Sequence, residues 1–310
     1  MNNKMPKNKI IIKSHAKLNL FLKVMSKRKD GFHNIFSNFY KIDLCDELQF
    51  KPSNKLTVKC NIDLGIPENE NIVYKSAVAL NEFTNQNNTV AIEIEKNIPV
   101  GAGLGGGSSN AATTLLTLNE MWNLNLKFDD LHSIAKDLGS DVPFFLYDEP
   151  SAIVFGKGEY LLPMDYEDIT LDFKNFYYLL VNPKIFISTA KAYSLLQRKY
   201  DVQLKGLEEP DNFDFKEMFD YVALKNCLEC SAKEEDLYFN NDFEEIIIQQ
   251  HPELSELQAE LMKLSDDRMA MTGSGSAFFA LFKTLKKVEK AQEIIKSKFN
   301  METFIGKLMK

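Results

Sequence analysis

Residues 99–110 combine the residue types that a polyphosphate site needs. The segment reads P-V-G-A-G-L-G-G-G-S-S-N and places five glycines within seven residues, directly before an amphipathic helical pattern. Glycine lets the backbone take positive φ and approach an anion closely, and free N–H groups at a helix start favour negative charge. Ser108 and Ser109 add hydroxyl groups for phosphate or Mg²⁺. A flexible turn is the alternative, but such linkers are not normally bracketed by a strand and a helix. We call residues 99–110 the phosphate loop.

The common nucleotide-binding motifs do not fit this loop. Gly101, Gly103 and Gly106 satisfy G-x-G-x-x-G, but a helical pattern ending at Trp122 stands where a dinucleotide fold has its next strand and acidic residue. No Gly-Lys-Ser/Thr follows the glycines, and the H-R-D and D-F-G triplets of protein kinases are absent. The sequence therefore predicts a phosphate site of another class.

Two charged residues in apolar surroundings could serve phosphoryl transfer to an alcohol. Asp141 stands in G-S-D-V-P-F-F, where desolvation by the phenylalanines calls for a nearby cation, and Lys17 interrupts the apolar pattern A-K-L-N-L. The reaction needs an acceptor for the hydroxyl proton and a cation near the developing charge. Spacing alone leaves two other roles open, namely a helix cap for Asp141 and a solvent-facing position on an edge strand for Lys17.

The elements that must position these residues follow from the hydrophobic pattern. Residues 9–60 read as several strands separated by polar turns, including the K-D-G of 29–31. Helices are predicted for about 70–83, 108–122, 128–138, from 188, 252–264 and 286–299, with strands at 90–94 and on both sides of a turn at 273–275. S-A-I-V-F and Y-Y-L-L-V-N-P are short apolar stretches after Asp141. Trp122 is predicted to pack in the core. The acidic segment from about 208 to 245 is interpreted as a solvated surface helix.

Composition bounds the class of protein. With 310 residues and 45% hydrophobic content, the chain can form two lobes, and we place their boundary at the aperiodic segment 165–174, giving lobes of 1–165 and 166–310. The net charge of −7 provides no basic field for nucleic acid or an anionic membrane. No signal peptide or membrane span is predicted, which favours the cytoplasm. Cys227 and Cys230 form a C-x-x-C that we interpret as ordinary thiols, because a zinc site would need further ligands.

Seven segments together resemble the GHMP family of small-molecule kinases over most of the chain. They are A-K-L-N-L-F-L at 16–22, R-K-D-G-F-H at 28–33, E-N-I-V at 70–73, P-V-G-A-G-L-G-G-G-S-S-N-A-A at 99–112, L-G-S-D-V-P-F-F at 138–145, N-D-F-E at 241–244 and T-G-S-G-S-A at 272–277. The glycine motif identifies only the superfamily. The D-G-F-H, L-G-S-D-V-P and N-D-F-E segments point to the branch that acts on a cytidyl substrate.

The resemblance implies a two-lobed α+β fold of the GHMP-kinase type with the active site in the cleft between the lobes. It implies ATP-dependent phosphorylation of the 2-hydroxyl of a cytidyl diphosphate sugar alcohol in the non-mevalonate isoprenoid pathway. ATP would bring Mg²⁺, for which Ser108 is the candidate contact, and transfer would be direct and in line. The partners would be small molecules, and the protein a monomer or weak homodimer.

The resemblance also implies residue roles. Asp141 would be the general base, Lys17 its partner that holds the acceptor hydroxyl, and Asn19 would help position the acceptor. His33 would read the cytosine edge, with the ring stacked between Phe32 and Tyr193. The implied ATP-binding residues are Asn71 (beside the adenine), Pro99, Gly101, Gly103, Leu104, Gly105, Gly106, Gly107, Ser108 and Ser109. The implied substrate-binding residues are Asn19, Phe32, His33, Asp141, Thr189, Tyr193 and Gly273.

Two departures from the family pattern and three other interpretations remain. The family usually has tyrosine at position 32 and phenylalanine at position 193; stacking survives both changes, but the phenol at position 32 is lost. His33 could be a turn histidine satisfied by backbone. The chain could be a superfamily kinase for mevalonate, homoserine or a sugar, or a non-catalytic nucleotide-binding protein on the same scaffold. The latter would be expected to lack Asp141 or Lys17.

Overall fold

The computed structural model describes residues 9–28, 30–164, 175–196, 239–265 and 268–310. The expected lobe boundary at 165–174, the C-x-x-C of Cys227 and Cys230, and the acidic segment up to residue 238 lie outside these residues. The mixed α+β fold expected from the sequence is confirmed, because the described residues form two sheets with helices packed on them.

The first sheet contains six strands of the chain's first half. They are β1 (Ile10–Lys27), β2 (His33–Pro52), β3 (Thr57–Cys60), β4 (Val90–Glu95), β5 (Ser151–Phe155) and β6 (Tyr160–Met164). The order is β3-β4-β2-β5-β6, and β1 pairs with β2 along its other edge. Among the described strands of this sheet, β3 and β4 form the one parallel pair.

The first sixty residues differ from the sequence prediction in the number of strands. Instead of several short strands, two long strands form a hairpin whose turn contains the predicted Asp30 and Gly31. The β1–β2 register shifts between His15 and Lys17 and again between Asn19 and Phe21. Such bulges re-aim side chains beside functional sites. Here they bracket Lys17 and Asn19.

Three helices cover one face of this sheet. They are α1 (Ile72–Thr84), α2 (Gly106–Met121) and α3 (Phe128–Leu138), and all three predicted helices are confirmed, α2 with a start two residues earlier. Their apolar faces join the strands in one core, which includes Leu80, Leu115 and the predicted core residue Trp122, 4% exposed. None of the described helices is long and apolar enough to cross a membrane.

The second sheet has the order β10-β7-β9-β8 and is antiparallel throughout. Its strands are β7 (Tyr177–Asn182), β8 (Met269–Met271), β9 (Phe278–Phe282) and β10 (Glu302–Lys307). The described helices of this half are α4 (Thr189–Leu195), α5 (Asp242–Gln250), α6 (Leu254–Leu264) and α7 (Leu285–Phe299). The interpretation as a solvated surface helix is wrong for its described part, because Asp242 and Phe243 of α5 are buried.

The two sheets are joined directly by the end of the chain. Asp43 on β2 accepts hydrogen bonds from the Tyr178 hydroxyl and from the Lys307 backbone N–H, both at 2.9 Å. Ile42 and Leu308 add an isolated bridge. Burial and the neighbouring Asp43 raise the pKa of Tyr178, so its hydroxyl stays a donor. These contacts fix the sheets against each other, with the cleft between them.

Candidate active site

A cleft of about 680 Å³ brings together segments that are far apart in the sequence. This volume lies within the roughly 300–1,000 Å³ of most small-molecule sites. Its walls come from β1, the β1–β2 hairpin, the phosphate loop, the loop after α3, α4 and the turn after β8. The site residues predicted from the sequence that line it are Lys17, Asn19, Phe32, His33, Gly103, Gly105, Asp141, Thr189, Tyr193 and Gly273. Asn71 and the other predicted loop residues do not line this cleft.

Lys17 lies in the floor of the cleft with its side chain 3% exposed. Its Nζ is 3.6 Å from Asp141 Oδ2, donates a hydrogen bond of 2.5 Å to Asn19 Oδ1 and lies 4.5 Å from the centre of the Phe39 ring. Burial lowers the pKa of Lys17, and the charge of Asp141 acts in the opposite direction. The solvent-facing position left open by the sequence is therefore wrong.

Asp141 lies between α3 and a 3-10 helix at Pro143–Leu146. Its side chain is 29% exposed, so its carboxylate is open to the cleft while Lys17 supports it from below. Ser140 Oγ donates to Oδ1 at 3.3 Å. The N-cap of the 3-10 helix is Val142 and the C-cap of α3 is Gly139, so the helix-cap interpretation of Asp141 is wrong. A supported but accessible carboxylate can accept a proton from a bound hydroxyl group.

Asn19 connects Lys17 to the other side of the cleft. Besides the Lys17 ammonium, its Oδ1 accepts the backbone N–H of Gly273 at 2.9 Å, and its amide nitrogen donates to Ser37 Oγ at 2.9 Å. Its own backbone N–H donates to Thr272 Oγ1 at 3.0 Å. Both ends of the side chain are thus bonded to protein. Sequence reasoning missed Thr272 and Ser37, although Thr272 begins the T-G-S-G-S-A segment.

The phosphate loop presents the start of α2 to its surroundings. Gly101, Gly103 and Gly105 all have positive φ, and Gly105 is the N-cap of α2 in the left-handed region. Gly105 has no side chain that could cap this helix, so the first-turn N–H groups and the positive end of the helix dipole suit an anion. Ser108 is half-buried. The Ser109 hydroxyl instead accepts a buried hydrogen bond of 2.7 Å from Ser14 Oγ.

Asn71 is the N-cap of α1, where its Oδ1 accepts the Val73 N–H at 2.9 Å. The next residue, Ile72, packs against Gly107, since a Cβ on that glycine would lie 3.8 Å from Ile72 Cγ2. The start of α1 therefore lies beside the start of α2. This places Asn71 near the helix end that favours phosphate.

Gly103 of the phosphate loop packs directly against the turn of residues 272–275, which we call the glycine turn. A Cβ on Gly103 would overlap the Thr272 carbonyl oxygen, and one on Gly273 would lie 2.9 Å from Gly103 Cα. Both glycines have positive φ, of 76° and 58°. The two backbones can approach this closely only because neither position carries a side chain.

We predict that Gly103→Ala separates the loop from the glycine turn and lowers kcat by about 10²-fold, the cost of displacing a reacting group by about 1 Å. Steady-state kinetics and thermal unfolding would measure this. Gly65→Ala is the matched control, because Gly65 has a similar φ of 68° but nothing within 4 Å of its added Cβ. An equal loss of activity in both variants would mean that backbone strain, and not the contact, is responsible.

An aromatic group lies at the mouth of the cleft. The His33 ring stacks on Tyr193, with centres 5.1 Å apart and planes 19° from parallel, and Tyr193 contacts Phe243 edge-on at 4.8 Å. Phe32 is 58% exposed, with Lys157 Nζ 5.1 Å from its ring centre. Burial lowers the pKa of His33, which favours the neutral ring. The ring makes no hydrogen bond to any described residue, so the backbone-satisfied turn histidine is not seen.

Thr189 and the glycine turn form another part of the cleft wall. Thr189 begins α4 directly after its N-cap Ser188, and its hydroxyl lies 2.9 Å from Ser274 Oγ. This bond ties the start of α4 to the glycine turn. The predicted substrate residues Thr189 and Gly273 thereby share one wall.

Two family models match the chain. Residues 71–149 match the GHMP kinases N terminal domain, and residues 222–300 match the GHMP kinases C terminal. The 4-diphosphocytidyl-2-C-methyl-D-erythritol kinase of Thermodesulfovibrio yellowstonii is 37% identical over 279 residues, which cover 90% of this chain and 92% of the relative. The enzyme of the same name from Prochlorococcus marinus is 38% identical over 293 residues, covering 92% and 89%.

Solved structures agree with these sequence matches. A crystal structure of a 4-(cytidine 5'-diphospho)-2C-methyl-D-erythritol kinase superposes with a TM-score of 0.73 at 29% identity, covering 97% of this chain and all of that one (100%). Homoserine kinase from Cytophaga hutchinsonii covers 99% and 97% with a TM-score of 0.65 at 16% identity. Mevalonate kinase from Methanococcus jannaschii covers 98% and 99% with a TM-score of 0.63 at 15% identity. The last two show a shared fold.

Proposed function

Since this chain belongs to the 4-diphosphocytidyl-2-C-methyl-D-erythritol kinase family of GHMP kinases, we propose that it transfers the γ-phosphoryl group of ATP to the 2-hydroxyl of 4-diphosphocytidyl-2-C-methyl-D-erythritol. The products are the 2-phosphate and ADP. The family assignment makes the chain a small-molecule kinase of isoprenoid biosynthesis. The acceptor hydroxyl and the roles of the residues below are our proposal.

The observation that carries this proposal is the buried Lys17 beside an accessible Asp141. Asp141 Oδ2 lies 3.6 Å from the ammonium, and both side chains line the cleft next to Gly105 of the phosphate loop. Asp141 accepts the proton of the acceptor hydroxyl, and the oxygen forms its bond to the γ-phosphorus as the bond to ADP breaks. Lys17 holds the acceptor oxygen and offsets the negative charge that develops there. No covalent enzyme intermediate is needed.

The phosphates of ATP bind at the start of α2 in this proposal. The uncapped N–H groups of its first turn and the positive-φ glycines before it form a surface that approaches an anion closely. Asn71, at the adjoining start of α1, lies beside the adenine.

Magnesium would accompany ATP. Within the described ranges, no three His, Cys, Asp or Glu side chains converge on a metal-binding position. Ser108, in the first turn of α2, would contact the ion. When bound, Mg²⁺ neutralises phosphate charge.

The cytosine ring binds against Tyr193 in this proposal. In the structure His33 covers one face of the Tyr193 ring. The cytosine enters as the His33 side chain turns aside, and the edge of the imidazole then faces the base. Phe32, exposed at the cleft mouth, covers the other face of the base. Burial and the charge of Asp141 raise the pKa of Tyr193, so its hydroxyl stays neutral beside the site.

We predict that Tyr193→Ala raises KM for the cytidyl substrate by about 5- to 150-fold, because base–aromatic stacking contributes roughly 1–3 kcal/mol. KM for ATP should stay unchanged, since Tyr193 is not part of the phosphate loop. Tyr193→Phe is the control that keeps the ring and should restore most of the affinity. A parallel rise in both Michaelis constants would argue against a cytosine site at Tyr193.

An ADP-release assay tests the function itself. Purified protein, ATP and Mg²⁺ would be supplied in turn with the cytidyl diphosphate methylerythritol, mevalonate, homoserine and galactose. We expect ADP only with the cytidyl substrate. Turnover of another alcohol would replace the proposed acceptor, and turnover of none would favour a non-catalytic nucleotide-binding role.

The lobe boundary at 165–174 stays part of the proposal. This boundary is supported by the sheets, because the described strands of the first sheet precede the segment and those of the second sheet follow it. The two matched family segments, 71–149 and 222–300, also fall on opposite sides of it.

A further inference from the structure

We propose that Asn241 is a positioning residue, which fixes the Lys17 ammonium beside Asp141 by acting through the glycine turn and Asn19. The inference rests on the proposed function, in which Lys17 holds the acceptor. Asn241 is not among the residues that line the cleft, and it is not one of the site residues predicted from the sequence.

Asn241 has a fixed position because its neighbours are bonded to β1. The backbone N–H of Leu22 donates to the Asn240 carbonyl at 2.8 Å, and the Val24 N–H donates to the Asp242 carboxylate at 2.9 Å. Residues 240–242 thus extend along β1, the strand that carries Lys17. Asn241 Oδ1 also accepts the Phe243 N–H at 2.9 Å and begins α5. Asn241 can therefore move only if these hydrogen bonds to β1 and to the start of α5 break.

The side-chain amide of Asn241 holds both the entry to the glycine turn and the turn itself. Its Nδ2 donates to the Met271 carbonyl at 2.6 Å and to the Gly273 carbonyl at 2.8 Å. Both amide protons are therefore used, and Asn241 is only 4% exposed. A buried donor pair of this kind specifies one position of the turn, because a buried carbonyl left without a hydrogen-bond donor is destabilising.

The glycine turn passes this position on to Lys17. The peptide groups on both sides of Gly273 are held, since its carbonyl accepts from Asn241 and its N–H donates to Asn19 Oδ1 at 2.9 Å. Asn19 Oδ1 also accepts a hydrogen bond of 2.5 Å from the Lys17 ammonium. Ser37 holds the other end of the Asn19 amide at 2.9 Å. A displaced Gly273 would therefore pull on the atom that orients Lys17.

Glu244 offers a matched control in the same motif. It is half-buried, one turn further along α5, and accepts hydrogen bonds from the Met271 N–H at 2.8 Å and from Gln258 Nε2 at 2.5 Å. It supports β8 from the same helix but makes no contact with Gly273 or Asn19 among the bonds of the described residues. A loss of general stability would affect both positions, whereas a loss of Lys17 orientation would follow Asn241 alone.

The test compares Asn241→Asp and Asn241→Ala with Glu244→Gln. The aspartate keeps the shape but sets an oxygen against two carbonyls, and the alanine removes the donors without adding charge. We expect kcat of both Asn241 variants to fall about 10²-fold with KM for ATP kept within about twofold, while Glu244→Gln keeps its kcat despite a lower melting temperature. If kcat stays at the wild-type value in the Asn241 variants, or falls equally in all three, the inference is wrong.

A second readout does not depend on turnover. In protein labelled with ¹³C at the lysine Cε, the Lys17 resonance should titrate at lower pH in the Asn241 variants than in wild type and Glu244→Gln, because the charged ammonium loses a hydrogen-bond acceptor. An unchanged Lys17 titration in folded Asn241→Ala would overturn the inference. Wild-type protein that releases no ADP with the cytidyl substrate would overturn the proposed function, while this titration would still decide the role of Asn241.

Discussion

Asp141→Asn should lower kcat by about 10²- to 10⁴-fold, the usual contribution of a positioned general base. The amide keeps the shape of the side chain but cannot accept the hydroxyl proton. KM for ATP should stay near the wild-type value, because the phosphates bind at the phosphate loop and not at residue 141. Single-turnover assays with the cytidyl substrate, together with nucleotide binding by titration calorimetry, would measure both effects.

The control for this substitution is Asp137→Asn, which makes the same chemical change on an exposed position of α3. It should leave kcat at the wild-type value. Wild-type kcat in Asp141→Asn would remove Asp141 from the base role, and the cleft would then have to bind a substrate that needs no base.

Lys17→Met should lower kcat by about 10²- to 10³-fold, the range found when one group that stabilises developing charge is removed. Methionine nearly matches the length and apolar stem of lysine, so it can occupy the space against Gly105 and Phe39. It leaves Asp141 without its cation and Asn19 Oδ1 without the ammonium donor. Binding of ATP, measured separately, should be largely retained.

Lys41 supplies the matched control for Lys17. It is also a buried lysine, stands opposite Lys17 in the β1–β2 register, and donates to the Tyr147 carbonyl outside the cleft. Burial lowers the pKa of Lys41 to about 8, so both sites place an ammonium in apolar surroundings. Lys41→Met should lower the melting temperature without a comparable loss of kcat. Equal kcat losses in the two variants would mean that Lys17 acts through stability alone.

The local sequence pattern was sufficient to predict most of the described helices and the conformation of the phosphate loop. The helix at Phe128–Leu138 has the bounds that its periodicity predicts, and Gly103 and Gly105 take the positive φ that a close approach to an anion requires. The unusual placement of Lys17 in an apolar strand also indicated a buried, partnered charge. In each case the physical cause lies within about one turn of helix or one strand.

Features that depend on distant contacts were missed. The chain of hydrogen bonds from Asn241 through Gly273 to Asn19 joins segments that composition cannot relate. The acidic residues around Asp242 predicted a solvent-exposed segment. The Asp242 carboxylate is instead buried, where it accepts a hydrogen bond from the backbone N–H of Val24. Strand β10 was not predicted, because its pattern E-T-F-I-G-K contains glycine and lacks clear alternation.

The bond between Asn19 and Thr272 spans 253 residues, and this separation determines when activity can arise during synthesis. A ribosome adds about 5–20 residues per second, so Lys17 exists for many seconds before the glycine turn has been made. In that interval the Asn19 side chain lacks Gly273, and the phosphate loop lacks the surface against which Gly103 packs. A nascent chain that ends before residue 239 should therefore release no ADP, and the activity should appear only near the end of translation.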